Sequence, residues 1–554
     1  MKKLRGLVAA LLVGFMLVGC GGSSNGDKQI TVDLGSEPPE LNTFMTSTSV
    51  SGNVLRHCVE GLVTLNEKDE PVPGVAKSWD VSKDKLTVTF NLREDSKWSN
   101  GEPVTAKDFV FAQEELYDAR NGAPYGSTWA ERVDGAEELF RLTSTDEKTG
   151  KVIGSAAEIK AAKKELGVKA LDDYTLEFKL TGPYDYFVEL MAFYNFAPVN
   201  EKTYKEMGGL KKYAKEADAM VYNGAFVVSS WAHESELVLT KNEDYWDKDS
   251  IEVEQITMTM ITDSNTRENE FRAGNNDVIL LGGLQAKEMK KNPVEGATLA
   301  NYDDGGVWYL EYNTEIKGLN NPKIRKAFTL AIDAQTFIDS LLQNDSVVAT
   351  SMTPPAIKQG SFTKAVADAG VSLGERNVET AKALLAEGLA EEKLTVADLK
   401  LSMITDDSDA AKKNCEFVQE QLRSNLGVEI QVEQMPHKQR IARMDATDFA
   451  IVFAGWSLDY NDPMTYLDLW LSNSGNNHTN WSSAEYDRLI KEAGVEVDTQ
   501  KRTELLIGAE KILMDECPIG VMFDRKQDYV VSSRIKGVVR TSASDLDCRH
   551  VKFK

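Results

Sequence analysis

Histidine and cysteine, which serve most often in metal sites and in nucleophilic catalysis, are scarce in this chain of 554 residues, with five of each. The chain has no H-E-x-x-H motif and no C-x-x-C pair, so the commonest zinc and dithiol arrangements are missing. The glycine-rich phosphate-binding motifs G-x-x-x-x-G-K-[ST] and G-x-G-x-x-G are missing as well. We therefore expect neither a metalloenzyme nor a nucleotide enzyme, and we expect no metal ion and no cofactor.

Positive charge is also in short supply. Lys and Arg number 63 against 87 Asp and Glu, and the formal net charge is −24. No basic cluster interrupts this acidity, so a surface that binds nucleic-acid phosphates is excluded. The same acidity disfavours adhesion to anionic lipid and favours solubility.

Long apolar runs are confined to the amino terminus. A basic segment at residues 1–5 precedes an apolar stretch at residues 6–19. This stretch is shorter than the ~20 residues that span a bilayer, but it suits a secretory signal peptide. It ends in Leu-Val-Gly-Cys, with the cysteine at Cys20.

This ending resembles a bacterial lipobox, in which the cysteine is lipidated and becomes the new amino terminus. We therefore predict a signal peptide at 1–19, a lipid on Cys20, and a flexible tether of small and polar residues at 20–28. The predicted location is the extracytoplasmic face of the cell membrane. The alternative is a plain signal peptide with a chance cysteine.

Four further cysteines, Cys58, Cys415, Cys517 and Cys548, have no metal-like spacing. Four cysteines allow three complete disulfide pairings, and the sequence selects none of them. Free buried thiols are the other outcome, if the host lives without oxygen.

The secondary-structure pattern is mixed along the whole chain. About 530 residues remain after removal of the leader, more than one core normally supports, so two or three lobes are expected. Stretches with strand periodicity interleave with amphipathic helical stretches, which predicts α/β lobes. Predicted strands cover 29–34, 85–92, 174–180, 236–241 and 253–261, and predicted helices cover 322–343, 378–388, 409–426 and 483–494.

Local signals add three expectations. The Asn-Gly pair ending at Gly101 predicts a tight turn. Thr105 is placed to cap a helix, with Asp108 completing a capping box. The stretch 131–170 is rich in Glu, Lys and Ala, and it is predicted to be an exposed helical insertion that contributes little to the core.

A short apolar run at 449–454 ends at Gly455 and is followed by Trp456 and Asp459. A buried strand that stops at a glycine and then presents a carboxylate places a negative charge at the mouth of an apolar sheet. A cation would be held strongly there if water were excluded. The alternative is an ordinary strand exit with solvated acids.

Several separated segments together point to one family. In chain order they are GLV at 61–63, PVPGVAKSW at 71–79, LTVTFNLR at 86–93, KWSNGEPVTAKDFV at 97–110, YNGAF at 222–226, KNEDYWD at 241–247, FRAGNNDV at 271–278 and NPKIRKAFTLAID at 321–333. This set resembles solute-binding protein family 5 of ABC importers, the oligopeptide-binding group. The resemblance implies an α/β, type II (cluster C) periplasmic-binding-protein-like fold, with two ligand-clamping lobes and an extra domain linked by a hinge.

The resemblance also implies a discontinuous domain order and a function. Lobe I would comprise 29–60 with 196–305 and 530–554, the extra domain II would be 61–195, and lobe III would be 306–529. The implied function is that of a receptor, not an enzyme, which captures oligopeptides and delivers them to the transmembrane subunits of an ABC permease. A monomer without nucleic acid is expected.

Site residues follow from the same resemblance. In oligopeptide-binding members an Asp-Tyr-Asn motif supplies the carboxylate that pairs with the α-amino group of a bound peptide, and Asp459 matches it. Gly455, Trp456 and Ser457 match the edge whose backbone pairs with the peptide through main-chain groups that all sequences share. The other implied contacts are Tyr460, then Ser47, Thr48 and Ser49 on the opposite rim, Tyr125, and His437, which stands where those proteins have a tryptophan.

One departure leaves the far end of the ligand without an evident partner. Phe453 stands where enteric oligopeptide binders carry an arginine that can meet the carboxylate of a short peptide. Arg440 and Arg443 lie nearby and offer positive charge, but a carboxylate clamp is not supported.

Other ligands and one other class stay open. Members of this family also bind nickel complexes, haem, sugars or signalling peptides, although the Asp-Tyr-Asn motif favours peptides. A peptidase would need a nucleophile and a base. His57 and Cys58 are the one adjacent Cys/His pair, and they fall in a predicted amphipathic helix where a packed core cysteine is favoured.

Overall fold

The structure is a computed structural model that describes residues 28–146, 148–540, 542 and 546–554, and its strands form one large sheet and several small ones. The strands are β1 (Gln29–Asp33), β2 (Val63–Leu65), β3 (Pro71–Pro73), β4 (Ala76–Val81), β5 (Thr87–Leu92), β6 (Thr145–Asp146), β7 (Lys151–Val152), β8 (Val168–Asp172), β9 (Thr175–Lys179), β10 (Phe226–Ala232), β11 (Glu236–Lys241), β12 (Gln255–Thr259), β13 (Val278–Leu281), β14 (Thr298–Tyr312), β15 (Val347–Val348), β16 (Leu401–Asp406), β17 (Ile430–Met435), β18 (Ile451–Trp456), β19 (Ile519–Val531), β20 (Ile535–Lys536) and β21 (Lys552–Phe553).

Helices are distributed along the whole described chain and pack against these sheets. They are α1 (Ser49–Cys58), α2 (Ala106–Leu116), α3 (Gly126–Ala130), α4 (Ala136–Thr143), α5 (Ala156–Glu165), α6 (Phe187–Leu190), α7 (Glu201–Glu206), α8 (Ser264–Arg272), α9 (Gly283–Lys291), α10 (Pro322–Leu330), α11 (Ala334–Phe337), α12 (Ser361–Asp368), α13 (Val378–Glu391), α14 (Asp409–Leu426), α15 (His437–Asp445), α16 (Met464–Leu467), α17 (Ala484–Val495) and α18 (Thr499–Glu516).

The large sheet has eleven strands in the order β10-β11-β12-β1-β13-β19-β14-β18-β16-β17, with β15 paired to β19. The long antiparallel strands β14 and β19 join its two halves, and their pairing is interrupted between Asp303 and Val307. A separate antiparallel sheet, β4-β5-β9-β8, lies within 61–195. The predicted lobe boundaries at 305/306 and 529/530 fall inside β14 and β19, and the domain limits stay predictions.

Helix α14 shows how the sequence pattern becomes structure. Cys415, Val418, Leu422 and Leu426 follow helical spacing, and all four are buried. Ser408 caps the first turn, and Gly427 takes the left-handed conformation that ends the helix. The structure therefore confirms the helix predicted over 409–426.

The predicted helix over 322–343 is wrong in its continuity. It begins as expected, because the Asn321 side chain accepts a hydrogen bond from the backbone N–H of Lys323 and proline follows at the first helical position. This helix, α10, ends at Leu330. A new helix, α11, then begins after Asp333, whose side chain accepts a hydrogen bond from the backbone N–H of Thr336 and caps it. Residues 338–342 then form a single π-helical turn.

The prediction that 131–170 contributes little to the core is also wrong. The segment holds α4 and α5 as expected, but Val133, Ala136, Leu139 and Leu166 are fully buried in the main apolar core. The overall Glu, Lys and Ala content concealed these few buried apolar residues.

The two local signals before this segment are confirmed. Gly101 has a φ of +82°, and its N–H bonds to the carbonyl of Trp98 in the expected turn. The Asp108 side chain accepts from the backbone N–H of Thr105 at 2.7 Å, which completes the capping box of α2.

The leader cannot be compared with the structure. Cys20 and the predicted signal peptide lie outside the described residues, as does all of the tether except Lys28. Among the described helices, none combines the length and the apolar character that a membrane span requires.

Candidate functional site

A cavity of about 320 Å³ lies where the end of β18 meets the starts of α1 and α15. The size falls in the range of small-molecule sites. Eight of the ten ligand contacts expected from the sequence line it: Ser47, Thr48, Ser49, His437, Gly455, Trp456, Ser457 and Asp459. Tyr125 and Tyr460 are not among the lining residues.

The edge of β18 is open beside this cavity. On one side β18 pairs with β14 along its whole length, from Ile451 to Trp456. On the other side β16 pairs with it only at Ile451 and Val452. Within the described chain, the rest of that edge has no strand partner, so an extended chain could pair with its main-chain groups.

Position 455 has room only for glycine, because the ring of Trp308 occupies the space that a side chain would need. A Cβ at this position would lie 2.7 Å from that ring. Trp308 in turn stacks on Phe523 at a centroid distance of 6.1 Å. The glycine is therefore required for packing, whatever its backbone contributes to a ligand.

Asp459 is held through both its carboxylate and its backbone. The Tyr125 hydroxyl donates to Asp459 Oδ2 at 2.7 Å, and the Asp459 backbone N–H donates to Thr465 Oγ1 at 2.9 Å. Tyr125 is buried and stacks on Trp129 with centroids 5.0 Å apart. Burial, together with the charge of Asp459, raises the pKa of Tyr125, so its hydroxyl stays protonated and donates.

Tyr460 is next to Asp459 in sequence, but its side chain lies in the core. It does not line the cavity, contrary to the expectation from the sequence. Its side chain is fully buried, stacks on Tyr186 at 4.4 Å, and donates to Asp468 at 3.0 Å. Asp468 also pairs with the buried guanidinium of Arg132. The position of Tyr460 indicates a structural role.

The opposite rim is the start of α1. The Thr48 side chain caps this helix by accepting from the backbone N–H of Ser51. Ser51 donates its hydroxyl to the carbonyl of Glu40 at 2.7 Å, which fixes the turn. Ser49 is exposed, and Ser47 is half-buried at the cavity wall.

Arg440 lines the cavity, but its charge is already matched. Its Nε donates to Asp406 at 2.6 Å, and a second guanidinium nitrogen lies 3.3 Å from His437 Nδ1. Burial raises the pKa of Asp406, but the charges and hydrogen bonds of Arg440 and His437 outweigh it, so the pKa is lowered. Arg443 bonds to Glu433 and Asp448 and does not line the cavity.

The cavity wall also contains polar residues that the sequence did not indicate. His478 lies between Glu311, at 3.4 Å from its Nδ1, and Asp445, at 3.5 Å from its Nε2. Burial lowers the pKa of His478, but the two carboxylates outweigh burial and raise the pKa to about 9. Glu311 was the one available signal, because it is the one carboxylate in the otherwise apolar second half of β14, at 307–312.

Similarity to known proteins identifies the family of this chain. Residues 70–478 match the model of bacterial extracellular solute-binding proteins, family 5. The chain belongs to this family. The Bacillus subtilis oligopeptide-binding protein OppA is 34% identical over all of both chains. A Bacillus anthracis oligopeptide ABC transporter substrate-binding domain superposes with a TM-score of 0.86, at 31% identity over 95% of this chain and 99% of that one. Listeria monocytogenes OppA bound to peptide gives a TM-score of 0.85, at 29% identity over 95% and 99%.

Membership in family 5 confirms the predicted fold class, a type II periplasmic-binding-protein-like fold with two lobes. The family consists of binding proteins, so this chain is not an enzyme. Two relatives, from Salmonella typhimurium and Escherichia coli, are periplasmic oligopeptide-binding proteins.

The one adjacent Cys/His pair has a structural place in this family 5 protein. His57 and Cys58 are buried at the end of α1. His57 Nδ1 lies 2.7 Å from the carbonyl of Asn53, and its Nε2 accepts from the backbone N–H of Cys548. Burial raises the pKa of Cys58, so the thiol is not a nucleophile.

The four cysteines outside the leader are free and buried. The structure therefore favours free thiols over the three disulfide pairings that the sequence allowed. In the described part of the chain, no group of three or more His, Cys, Asp or Glu side chains could hold a metal ion.

Proposed function

We propose that this family 5 protein captures oligopeptides outside the membrane and delivers them to an ABC permease. Asp459 would pair with the peptide's α-amino group, and the open edge of β18 would pair with its main chain. One observation carries this proposal: a carboxylate held by Tyr125 stands at the cavity beside a strand edge without a partner. Two relatives, the oligopeptide-binding protein OppA of Bacillus subtilis and the peptide-bound OppA of Listeria monocytogenes, support the ligand class.

Main-chain pairing suits a receptor of broad specificity. Backbone groups are common to all peptides, while side chains enter pockets that can stay hydrated. Closure of the lobes around a peptide would exclude water and strengthen the pair between Asp459 and an ammonium group. Phe453 offers the peptide's carboxylate no charge, and Arg440 is matched by Asp406.

The test is calorimetry of the purified protein with a tetrapeptide, free and N-acetylated. Asp459→Asn should weaken binding of the free peptide by about 2–5 kcal/mol, roughly thirty- to several-thousand-fold in Kd. It should change binding of the acetylated peptide little. Asp345→Asn, at an exposed carboxylate away from the cavity, is the matched control and should bind as the wild type does. Equal losses for both peptides would contradict the amino-group anchor.

Membrane attachment is a separate part of the proposal. A lipid on Cys20 would keep the receptor at the extracytoplasmic face, next to its permease. Labelling of cells with a palmitate analogue should mark the wild-type protein and leave Cys20→Ala unmarked. The variant should also appear in the soluble fraction, whereas a labelled Cys20→Ala protein would refute lipidation at this residue.

A further inference from the structure

One wall of the cavity is built from a single face of the β14/β18 pair. Residues opposite each other in an antiparallel pair share a face. The register places Val307 opposite Trp456, Tyr309 opposite Ala454, and Glu311 opposite Val452. Trp456, Ala454, Tyr309 and Glu311 all line the cavity. The small Ala454 lies between two larger residues, which leaves room above it for a ligand side chain.

Polar atoms on this wall have no hydrogen-bond partner among the described residues. They are Trp456 Nε1, His478 Nδ1, Glu311 Oε2 and both amide atoms of Asn476, all in residues that line the cavity. Glu311 Oε2 and His478 Nδ1 are 3.4 Å apart and form an ion pair without the geometry of a hydrogen bond. Glu311 is 2% exposed and Asn476 is 3% exposed. A buried polar group without a partner costs about 1–3 kcal/mol, so such a group calls for a ligand or an ordered water.

The charges along this wall favour a cation. His478 carries the one positive charge between Glu311 and Asp445, so this group of three has an excess of one carboxylate. Asp406 and Arg440, next to it, neutralise each other.

The other cavity cations, Arg56 and Arg525, belong to different elements. Arg56 is on α1. Arg525 is on β19, over the ring of Trp308 at 5.2 Å. Trp308 also lines the cavity, but it projects from the opposite face of β14 to Tyr309 and Glu311.

We propose that this wall is a subsite for a cationic side chain, lysine or arginine, of the bound peptide. The inference rests on the proposed peptide-binding function and names the peptide class that the cavity prefers. Glu311 accepts from the ammonium or guanidinium group, and Asn476 Oδ1 accepts a second hydrogen bond. Along β18, Ala454 is two residues from Trp456, about 7 Å at the rise of an extended strand. Glu311 lies opposite Val452, and Asp459 follows the end of β18 at Trp456, so the subsite is distinct from Asp459 and serves a side chain away from the peptide's amino terminus.

The test is a lysine scan of tetra-alanine by calorimetry, in which each position carries alanine, lysine or norleucine in turn. Norleucine retains most of the length and apolar surface of lysine and lacks its charge. At one position lysine should bind about tenfold tighter than norleucine, as expected for a hydrogen bond to a charged group. Glu311→Gln should abolish this preference for lysine over norleucine.

His478→Gln provides a second variant that keeps Glu311 in place. It removes the cation that competes for Glu311, so the preference for lysine should increase. Thermal unfolding of both variants shows whether the fold is retained, and Asp345→Asn is again the control.

Three results would overturn the inference. If lysine and norleucine bind equally at all four positions while tetra-alanine binds, the subsite is refuted and the proposed function stands. If the preference survives in Glu311→Gln and in His478→Gln without change, the site lies elsewhere. If no peptide binds to the wild type, the proposed function fails and the subsite fails with it.

Discussion

The hydroxyl of Tyr125 and the carboxylate of Asp459 are 2.7 Å apart, although 334 positions separate them in sequence. Tyr125 belongs to 61–195, the predicted extra domain II, whereas Asp459 follows β18. The proposed amino-group anchor, Asp459, is therefore held by Tyr125, a residue far from β18 in sequence. Because Tyr125 does not line the cavity, its effect on a ligand passes through Asp459.

Tyr125→Phe should weaken binding of a free peptide about tenfold, since it removes one hydrogen bond to a charged group and leaves the ring stack intact. The loss should be smaller than that of Asp459→Asn. In the double variant the two losses should not add, because both act on one carboxylate. Calorimetry with free and N-acetylated tetrapeptides measures all four proteins.

Tyr186→Phe is the matched control for this series. Among the residues that the structure describes, the Tyr186 hydroxyl bonds only to the sulfur of Met464, at 4.0 Å, and its ring stacks on Tyr460. It should bind free peptide as the wild type does. Strict additivity of the losses at Tyr125 and Asp459 would show that the two residues act independently.

The sequence allowed prediction of those parts of the site that lie in one segment. The apolar run before Gly455 marks β18, and the carboxylate after it is Asp459, next to the cavity. The role of Tyr125 was out of reach, because a hydrogen bond across 334 positions leaves no local pattern. Glu311 was missed for a similar reason, since it joins the cavity only through the pairing of β14 with β18.

Amino-acid composition gave a wrong prediction for a segment in which a few apolar residues pack into the core. The high Glu, Lys and Ala content of 131–170 predicted an exposed insertion, yet Leu139 and Leu166 are fully buried. Periodicity was the better guide, as α14 shows over 409–426. Tyr460 marks a further limit, because a motif matched by resemblance says nothing about which of its side chains faces the ligand.

Arg132 and Asp468 form an ion pair in which both side chains are almost completely buried. Asp468→Asn leaves the guanidinium without its countercharge, and loss of one partner of a buried pair costs about 3–5 kcal/mol. We expect denaturant unfolding to show a destabilisation of this order. Glu138→Gln breaks an exposed pair with Arg141 and should change stability by less than about 1 kcal/mol. Equal stability of the two variants would contradict the importance of the buried pair.

Gly455→Ala should destabilise the end of β18, because the added methyl group meets the Trp308 ring at 2.7 Å. Overpacking of this kind costs about 1–3 kcal/mol, and displacement of the ring should also weaken peptide binding. Gly494→Ala, within α17, is the matched control. A Cβ at position 494 would have its nearest neighbouring atom at 3.8 Å, which is ordinary van der Waals contact. Unfolding midpoints and peptide titrations of the two variants should therefore differ, and a Gly455→Ala protein indistinguishable from Gly494→Ala would refute the steric argument.

His478 should make stability depend on pH between about 6.5 and 9. Its ordinary pKa of about 6.5 applies to the unfolded chain. In the folded protein, burial lowers the pKa, but Asp445 and Glu311 outweigh it and raise the value to about 9. A group whose pKa is raised by folding contributes stability that is complete below its unfolded pKa and is lost as the pH rises through its folded pKa. The contribution of His478 is therefore present at pH 6 and absent above about pH 9.

The measurement is the unfolding midpoint of the wild type and of His478→Gln across this range. The variant should be less stable than the wild type at pH 6, and the difference should shrink as the pH approaches 9. His233, which is exposed and pairs with Glu37 and Glu216, supplies the control variant His233→Gln, whose smaller effect should reflect solvent screening. A wild-type advantage over His478→Gln that stays constant from pH 6 to pH 9.5 would mean that the residue stabilises the fold by packing alone, without the charge that Glu311 and Asp445 hold on it.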